Sequence, residues 1–344
     1  MDARRPARGV RPRRHAARRA LGLLALLVAL FGAGLAFAAA AQAHATVVSS
    51  DPADGARLKS VPAQVQVTFD EPVTLGGLGY LHVTDGAGRR VEAGEAFHPA
   101  GNRAVVAVRL RAGLGDGTYI ESFRVVSADS HPVTGIVRFV VGNGALVLPS
   151  SAPASATDPV TSTAFDALRW LSYAGVALLA ALWLPLTVWP GGAAVPRVRR
   201  TVWWGWSLAV LGTVLEVVVQ GPYAAGRGLA SVADASLLDG TLHTAYGQAS
   251  SARLVLLGVA APLTGLVLSG RRGPYRFAVL PVLAGIALTF SFVGHANTTD
   301  PRWLSLTLDA AHLSAMAVWI GGLVLVLVAL FPHGAAADLP RVLP

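Results

Sequence analysis

The chain has 344 residues, a formal net charge of +9, no cysteine, and 53% hydrophobic against 14% charged residues. Lack of cysteine excludes disulfides, thiolate metal sites, iron–sulfur clusters and cysteine catalysis, so a bound metal must use His, Asp, Glu, Met or backbone ligands. So apolar a composition points to a chain lying partly in a membrane.

The basic excess is local. Eight arginines against Asp2 in residues 1–20 supply seven of the nine charge units. Leu21 to Phe37 is then uncharged and apolar, and Ala41-Gln42-Ala43 has the small-x-small form of a cleavage site. That order defines a secretory signal peptide over 1–43, an uncleaved anchor helix being the alternative. Cleavage leaves a nearly neutral chain that begins at His44, so no nucleic-acid partner is implied. The free α-amine and imidazole of one N-terminal histidine can chelate a single metal ion together.

Residues 44–142 read as a soluble all-β domain. "QVQVTF" (64–69) alternates Val65, Val67 and Phe69 with polar neighbours, the period of a half-buried strand. "LGYLHVTD", "RAVVAVRLR", "TYIESFRVV" and "GIVRFVVG" follow, separated by Gly, Asp and Asn turn clusters. Short strands at this spacing predict a Greek-key sandwich or barrel. Between the last two strands, "SADSHPVTG" (127–135) carries Asp129 and His131. Residues i and i+2 of an extended segment share a side, so this carboxylate and imidazole can converge on one ion. With the two nitrogens of His44 they form a near-planar N,N,N,O set, which suits Cu(II). His82 and His98 read as ordinary surface histidines.

Residues 143–165 are rich in Ser, Ala, Pro and Thr and read as a flexible linker. Residues 166–344 then contain long apolar runs at Trp170–Trp189, Trp203–Gly221, Leu254–Ser269, Phe277–Gly294 and Leu304–Phe331. Each approaches the roughly 20 residues needed to cross a bilayer, the third by extension back through Ser250. Arg197, Arg199 and Arg200 lie between the first two spans, and Arg271, Arg272 and Arg276 between the third and fourth. Positive loops belong in the cytoplasm, which puts the β-domain outside a multi-pass cell-membrane protein.

Polar residues in spans are candidates for function. "FSFVGHANTTD" puts His295 at the outer end of the fourth span. In "LDAAHLSAMAVWIGGL", Asp309, His312 and Met316 share one helical face at i, i+3 and i+7. Imidazole with thioether suits Cu(I), and imidazole with carboxylate suits Cu(II), so these four residues form a candidate copper site of either oxidation state. Glu216, with Gln220 one turn on, reads equally as a relay for protons or copper or as a helix–helix bond. His243 reads as solvated.

"HATVVSSDPADGARLKSVPAQVQVTFDEPV" with "YIESFRVVSADSHPVTGIVRFVVG" resembles the CopC family of periplasmic copper-binding proteins. The resemblance implies a cupredoxin-like fold of seven strands, with His44, Asp129 and His131 as Cu(II) ligands and Glu71 as their neighbour. Phe123 stands where that family often has Trp, and Ser130 where it often has Gly. The domain lacks the methionine-rich segment of members with a Cu(I) site, so only Cu(II) is expected there. "GHA" followed by "DAAHLSAMAVWIGGL" resembles the CopD family of inner-membrane copper proteins, over roughly 166–331. CopD proteins have about eight spans, so five reads as a shortened form or a fragment.

Together these imply Cu(II) capture outside and handover to the membrane domain, for copper import or resistance. Copper ions, the lipid bilayer and other copper-handling proteins are the implied partners. No hydrolase triad, P-loop or dinucleotide motif appears, and a non-enzyme is expected. The alternatives are a copper enzyme that activates oxygen at the N-terminal chelate, and haem-mediated electron transfer through His295 and His312.

Overall fold

The computed structural model describes residues 45–75, 78–128, 130–143, 157–271 and 273–330. The expected signal peptide, His44, Asp129 and the middle of the expected linker lie outside the described residues.

Seven strands build the N-terminal domain: β1 (Val47–Asp51), β2 (Ala56–Leu58), β3 (Gln64–Phe69), β4 (Tyr80–Asp85), β5 (Val105–Arg109), β6 (Gly117–Val126) and β7 (Pro132–Val141). One sheet has the order β1-β3-β5 and the other β2-β7-β6-β4, so the chain alternates between sheets until the β6–β7 hairpin. This is the expected sandwich. Every second residue of each long strand points inward, as pleating requires. Val65, Val67 and Phe69 therefore meet Leu81, Val83, Tyr119, Phe123, Val137 and Phe139 in one core. Phe123 lies edge-on to Phe69 and fills the space above Gly135, where any side chain would run into its ring.

The C-terminal part is helical: α1 (Pro159–Ala180), α2 (Trp183–Thr187), α3 (Pro196–Ala225), α4 (Ala235–Leu242), α5 (Ala245–Leu268), α6 (Val279–Ser291) and α7 (Arg302–Leu330). Among the described residues, five helical stretches are long and apolar enough to cross a membrane. α1 and α3 approach closely through small residues, since a side chain on Gly175 would collide with Ala209 and one on Gly212 with Ser172. α7 packs Gly321 against the backbone of Ala177.

Two expectations need correction. α1 starts at Pro159 behind Asp158, which caps it by accepting from Thr161 N at 2.8 Å, so residues 159–165 are helix and not linker. α5 starts at Ala245 behind the Thr244 cap, earlier than the expected extension to Ser250, and this brings Tyr246 into the helix.

A loose tether would leave the sandwich free of the helices. Instead, the sandwich is seated on them at the end opposite the arginine-rich loops. The outer face of β6 makes the contact. Arg124, 2% exposed, donates from Nε to Ala224 O (2.5 Å) and from Nη2 to Tyr223 O (3.3 Å) and Thr157 Oγ1 (3.0 Å). Tyr223 O and Ala224 O are C-terminal carbonyls of α3, where the helix dipole is negative and a cation is favoured. Gly226 (φ 71°) closes α3 in the left-handed conformation and lies flat under the Arg124 guanidinium. Leu78 and Val126 pack beside it against Ala224 and Leu237.

Candidate metal-binding loop and the polar cluster beneath it

The loop between β6 and β7 is a tight turn. Ser127 donates from both N and Oγ to His131 O (2.9 Å each), and Ser130 N donates to Ser127 O (2.9 Å). Ser130 has φ 72°, a left-handed conformation that costs a residue with a side chain about 1 kcal/mol. This explains why glycine suits the position. Glu71, 8% exposed at the end of β3, accepts from Ala128 N through Oε1 at 3.2 Å and so braces the turn. Its neighbour Asp70 accepts from Thr46 N (2.7 Å) and Thr46 Oγ1 (2.6 Å), fixing the chain two residues after His44. Burial opposes ionisation of Asp70, but the Thr46 bonds and the nearby His295 hold its carboxyl below the ordinary range.

The loop is also held from below. Gln220 Nε2 donates to Ser130 O at 3.1 Å, and the Tyr223 ring meets the His131 ring edge-on at 6.3 Å. Arg169 Nη1 lies 3.4 Å from His131 Nε2. Thus His131, Glu71, Gln220 and Arg169 are brought to one place, where sandwich and helices meet. A cleft of about 230 Å³ opens beside the loop, and Arg103, Arg302, Thr244 and Tyr246 are among its lining residues.

The expected membrane set is not brought together. Among the described residues, no three His, Asp, Glu or Cys side chains are grouped to hold a metal ion. His295 is exposed in the turn after α6, within electrostatic reach of Asp70. His312 is exposed on α7. It stands nine residues before Gly321, or about two and a half turns, on the side of α7 opposite the one against α1. Met316 shares that outward half and is partly exposed, whereas Asp309, also partly exposed, stays within electrostatic reach of Tyr173 on α1. Among the other histidines, His82 Nδ1 pairs with Glu92 Oε1 at 3.2 Å, His98 Nδ1 contacts Val105 O at 2.8 Å, and His243 is exposed.

Polar chemistry gathers instead around Glu216, 2% exposed on α3. Arg253 Nη1 of α5, itself 1% exposed, lies 3.7 Å from Glu216 Oε2. Arg253 also donates from Nε to Thr289 Oγ1 at 3.0 Å and stacks 3.4 Å over the Phe290 ring. Arg124, Arg169, Tyr246 and Arg253 were not found by the sequence reading. For Arg253 a signal existed: the third span, extended back through Ser250, already contains this arginine.

Seven strands in two sheets, with a tight β6–β7 turn that carries Ser-Ala-Asp-Ser-His-Pro, define a CopC-type sandwich, here set on a bundle of apolar helices. Residues 47–142 match the CopC domain family. The chain is 36% identical over 118 residues to copper resistance protein C of Pseudomonas syringae pv. tomato, covering 33% of this chain and 93% of that protein. It belongs to the CopC family. It is also 30% identical over 292 residues to copper transport protein CutJ of Bacillus subtilis (strain 168), covering 82% of this chain and 52% of that protein. The chain therefore spans about half the length of the Bacillus relative. Among solved structures, CopC from Methylosinus trichosporium OB3b aligns at 24% identity and a TM-score of 0.27, covering 31% of this chain and all of that one. The methionine-rich PcoC of Escherichia coli aligns at 27% identity and a TM-score of 0.26, covering 29% of this chain and 99% of that one.

Proposed function

We propose that the chain handles copper: the sandwich captures Cu(II) outside the cytoplasm and passes it to the helical domain, for import or resistance. His44, Asp129 and His131 are the ligands in this reading. Family membership and the copper-related relatives support the copper part. The orientation is supported by the arginine-rich loops at the far end of the bundle from the sandwich. One observation carries the handover. The turn that bears His131 is seated on α1 and α3 through Arg169, Gln220 and Tyr223, so a released ion would leave directly above the helices.

The test uses the terminal amine. Extending the processed chain by one glycine turns the His44 amine into an amide, a poor ligand at neutral pH. Cu(II) affinity should fall by orders of magnitude while the fold stays intact. Equal affinity in both forms, by competition titration, would remove the N-terminal chelate from the mechanism.

A further inference from the structure

Glu216 is set up for more than an ion pair. Arg169, Tyr173, Glu216, Tyr246 and Arg253 surround a cavity of about 40 Å³ directly beneath the turn that bears His131. By that measure one water needs about 10–15 Å³, so the cavity holds two or three. Three buried polar atoms at this place have no hydrogen-bond partner: Glu216 Oε2, Tyr246 OH and Arg253 Nη2. One is an acceptor, one a donor, and the phenol is both, which is what a small water cluster satisfies. The Glu216–Arg253 contact, at 3.7 Å, is too long for a hydrogen bond and leaves the carboxylate free to take a proton. Tyr246 also lines the open 230 Å³ cleft, so it stands between the cavity and solvent.

Two connections lead upward. Arg169 lines the cavity and reaches His131 Nε2, and Gln220, one turn above Glu216, holds Ser130 O. We propose that Glu216 is a hydrated proton-binding site, coupled through Arg169 to the occupancy of the loop that bears His131. The step is a proton transfer: a hydronium in the cavity, drawn from solvent, gives its proton to the carboxylate, so one O–H bond breaks, one forms, and a water molecule remains. The charged and titratable groups around it are Arg169 and Tyr173 on α1, Tyr246 and Arg253 on α5, and Asp309 on α7, within electrostatic reach of Tyr173. α6 contributes only Phe290 to the lining, and Val293 and Gly294 follow it. With Glu216 ionised, its charge offsets that of Arg169. Once it is protonated, the Arg169 cation acts more strongly on the loop and disfavours a second cation there.

The coupling rests on the reading that the loop binds copper, and the experiment separates the two. The full chain in lipid nanodiscs is acidified and followed by infrared difference spectroscopy. A protonated-carboxyl band should appear, change frequency in Glu216→Asp, and vanish in Glu216→Gln. Adding Cu(II) should lower the proton affinity at least about fivefold, and Arg169→Gln should abolish that shift. Cu(II) loading is read from its spin-resonance signal in the same sample. No such band, or a band indifferent to bound Cu(II), overturns the proposal. Should no Cu(II) signal appear, the copper reading fails. The band itself, and its displacement in Arg169→Gln, then still decide the proton site. If Glu216→Gln does not fold, the frequency change in Glu216→Asp makes the assignment.

Discussion

Each half of the molecule buries a carboxyl group, and their surroundings differ. Glu121 lies on the inward face of β6 between Tyr119 and Phe123, 0% exposed, with no hydrogen-bond partner at either oxygen. Glu216 is almost as deeply buried, but it has a guanidinium at 3.7 Å and a cavity with room for water. The first is a polar group left among apolar neighbours. The second is equipped to carry charge. Burial alone therefore does not mark a functional carboxylate; partners and space do.

The largest effect should come from Glu121. Burial, with Asp51 adding to it, pushes its carboxyl up to about 8, against an ordinary value near 4.5. An acid held neutral by the fold binds more protons folded than unfolded between those two values. Its contribution is complete below about pH 4.5 and is lost as pH rises to about 8, at most about 5 kcal/mol. Glu121→Leu should make the sandwich more stable at pH 8 and flatten its pH dependence between those limits. Hydrogen exchange at the β6 amides of the full chain reads this directly. A variant as pH-sensitive as the parent would mean that another group governs that range.

Glu216 should respond in the opposite sense. Arg253→Met strands a buried charge and should cost about 3–5 kcal/mol, measured as the unfolding equilibrium in mixed detergent micelles. Arg253→Met with Glu216→Leu removes both charges and should recover most of that loss. If the double variant is as unstable as the single one, the pair holds the helices together by packing and not by charge.

Arg124 sharpens the comparison, because it is a buried charge with every direction satisfied. Arg124→Ala removes the bonds to Tyr223 O, Ala224 O and Thr157, and should weaken seating of the sandwich by about 2–3 kcal/mol. Spin labels placed on β4 and α5 should then show a broadened distance distribution. Arg124→Lys should rescue only in part, since an ammonium cannot reproduce the planar fork. An unchanged distribution in Arg124→Ala would assign the seating to Leu78 and Val126.

What the sequence made legible follows from which forces are local. Alternation in "QVQVTF" is a property of one strand, so the sandwich and the inward Val65, Val67 and Phe69 could be read from it; Glu121, at an inward position of "TYIESFRVV", was passed over. The turn "SADSHPVTG" was legible for the same reason, as a break between two such strands. The seating of Arg124 was not, because the outer face of β6 reads as solvent-facing until the end of α3, a hundred residues away, covers it. Spacing placed Asp309, His312 and Met316 on one face of α7. Only the packing of Gly321 on Ala177 decided that His312 turns away from α1, while Asp309 stays within electrostatic reach of Tyr173. Glu216 was visible as a charge in a span; Arg253 also lay in the third span as extended to Ser250, but its pairing with Glu216 depended on how α3 and α5 pack.

The smallest effect concerns the loop that joins the two halves. Ser130 is one of two non-glycine residues at positive φ among those described, and its carbonyl carries the bond from Gln220. Ser130→Gly removes the clash between Cβ and backbone that disfavours φ 72°, worth about 1 kcal/mol. It also frees the unfolded chain by a similar amount, so net stability should change little. Rigidity is another matter. A serine held in this conformation has few alternatives, whereas a glycine can leave it for many, so the loop should exchange its Ser127–His131 amides faster in the variant. Cu(II) binding should then weaken by a few-fold, since ordering the loop falls to the metal. Gln220→Ala should have a similar effect through the missing bond to the same carbonyl, and the two changes together should be less than additive. Full additivity in the titrations would mean that the backbone at Ser130 and the helix beneath it act on the loop independently, and that the seating on α3 does not position His131.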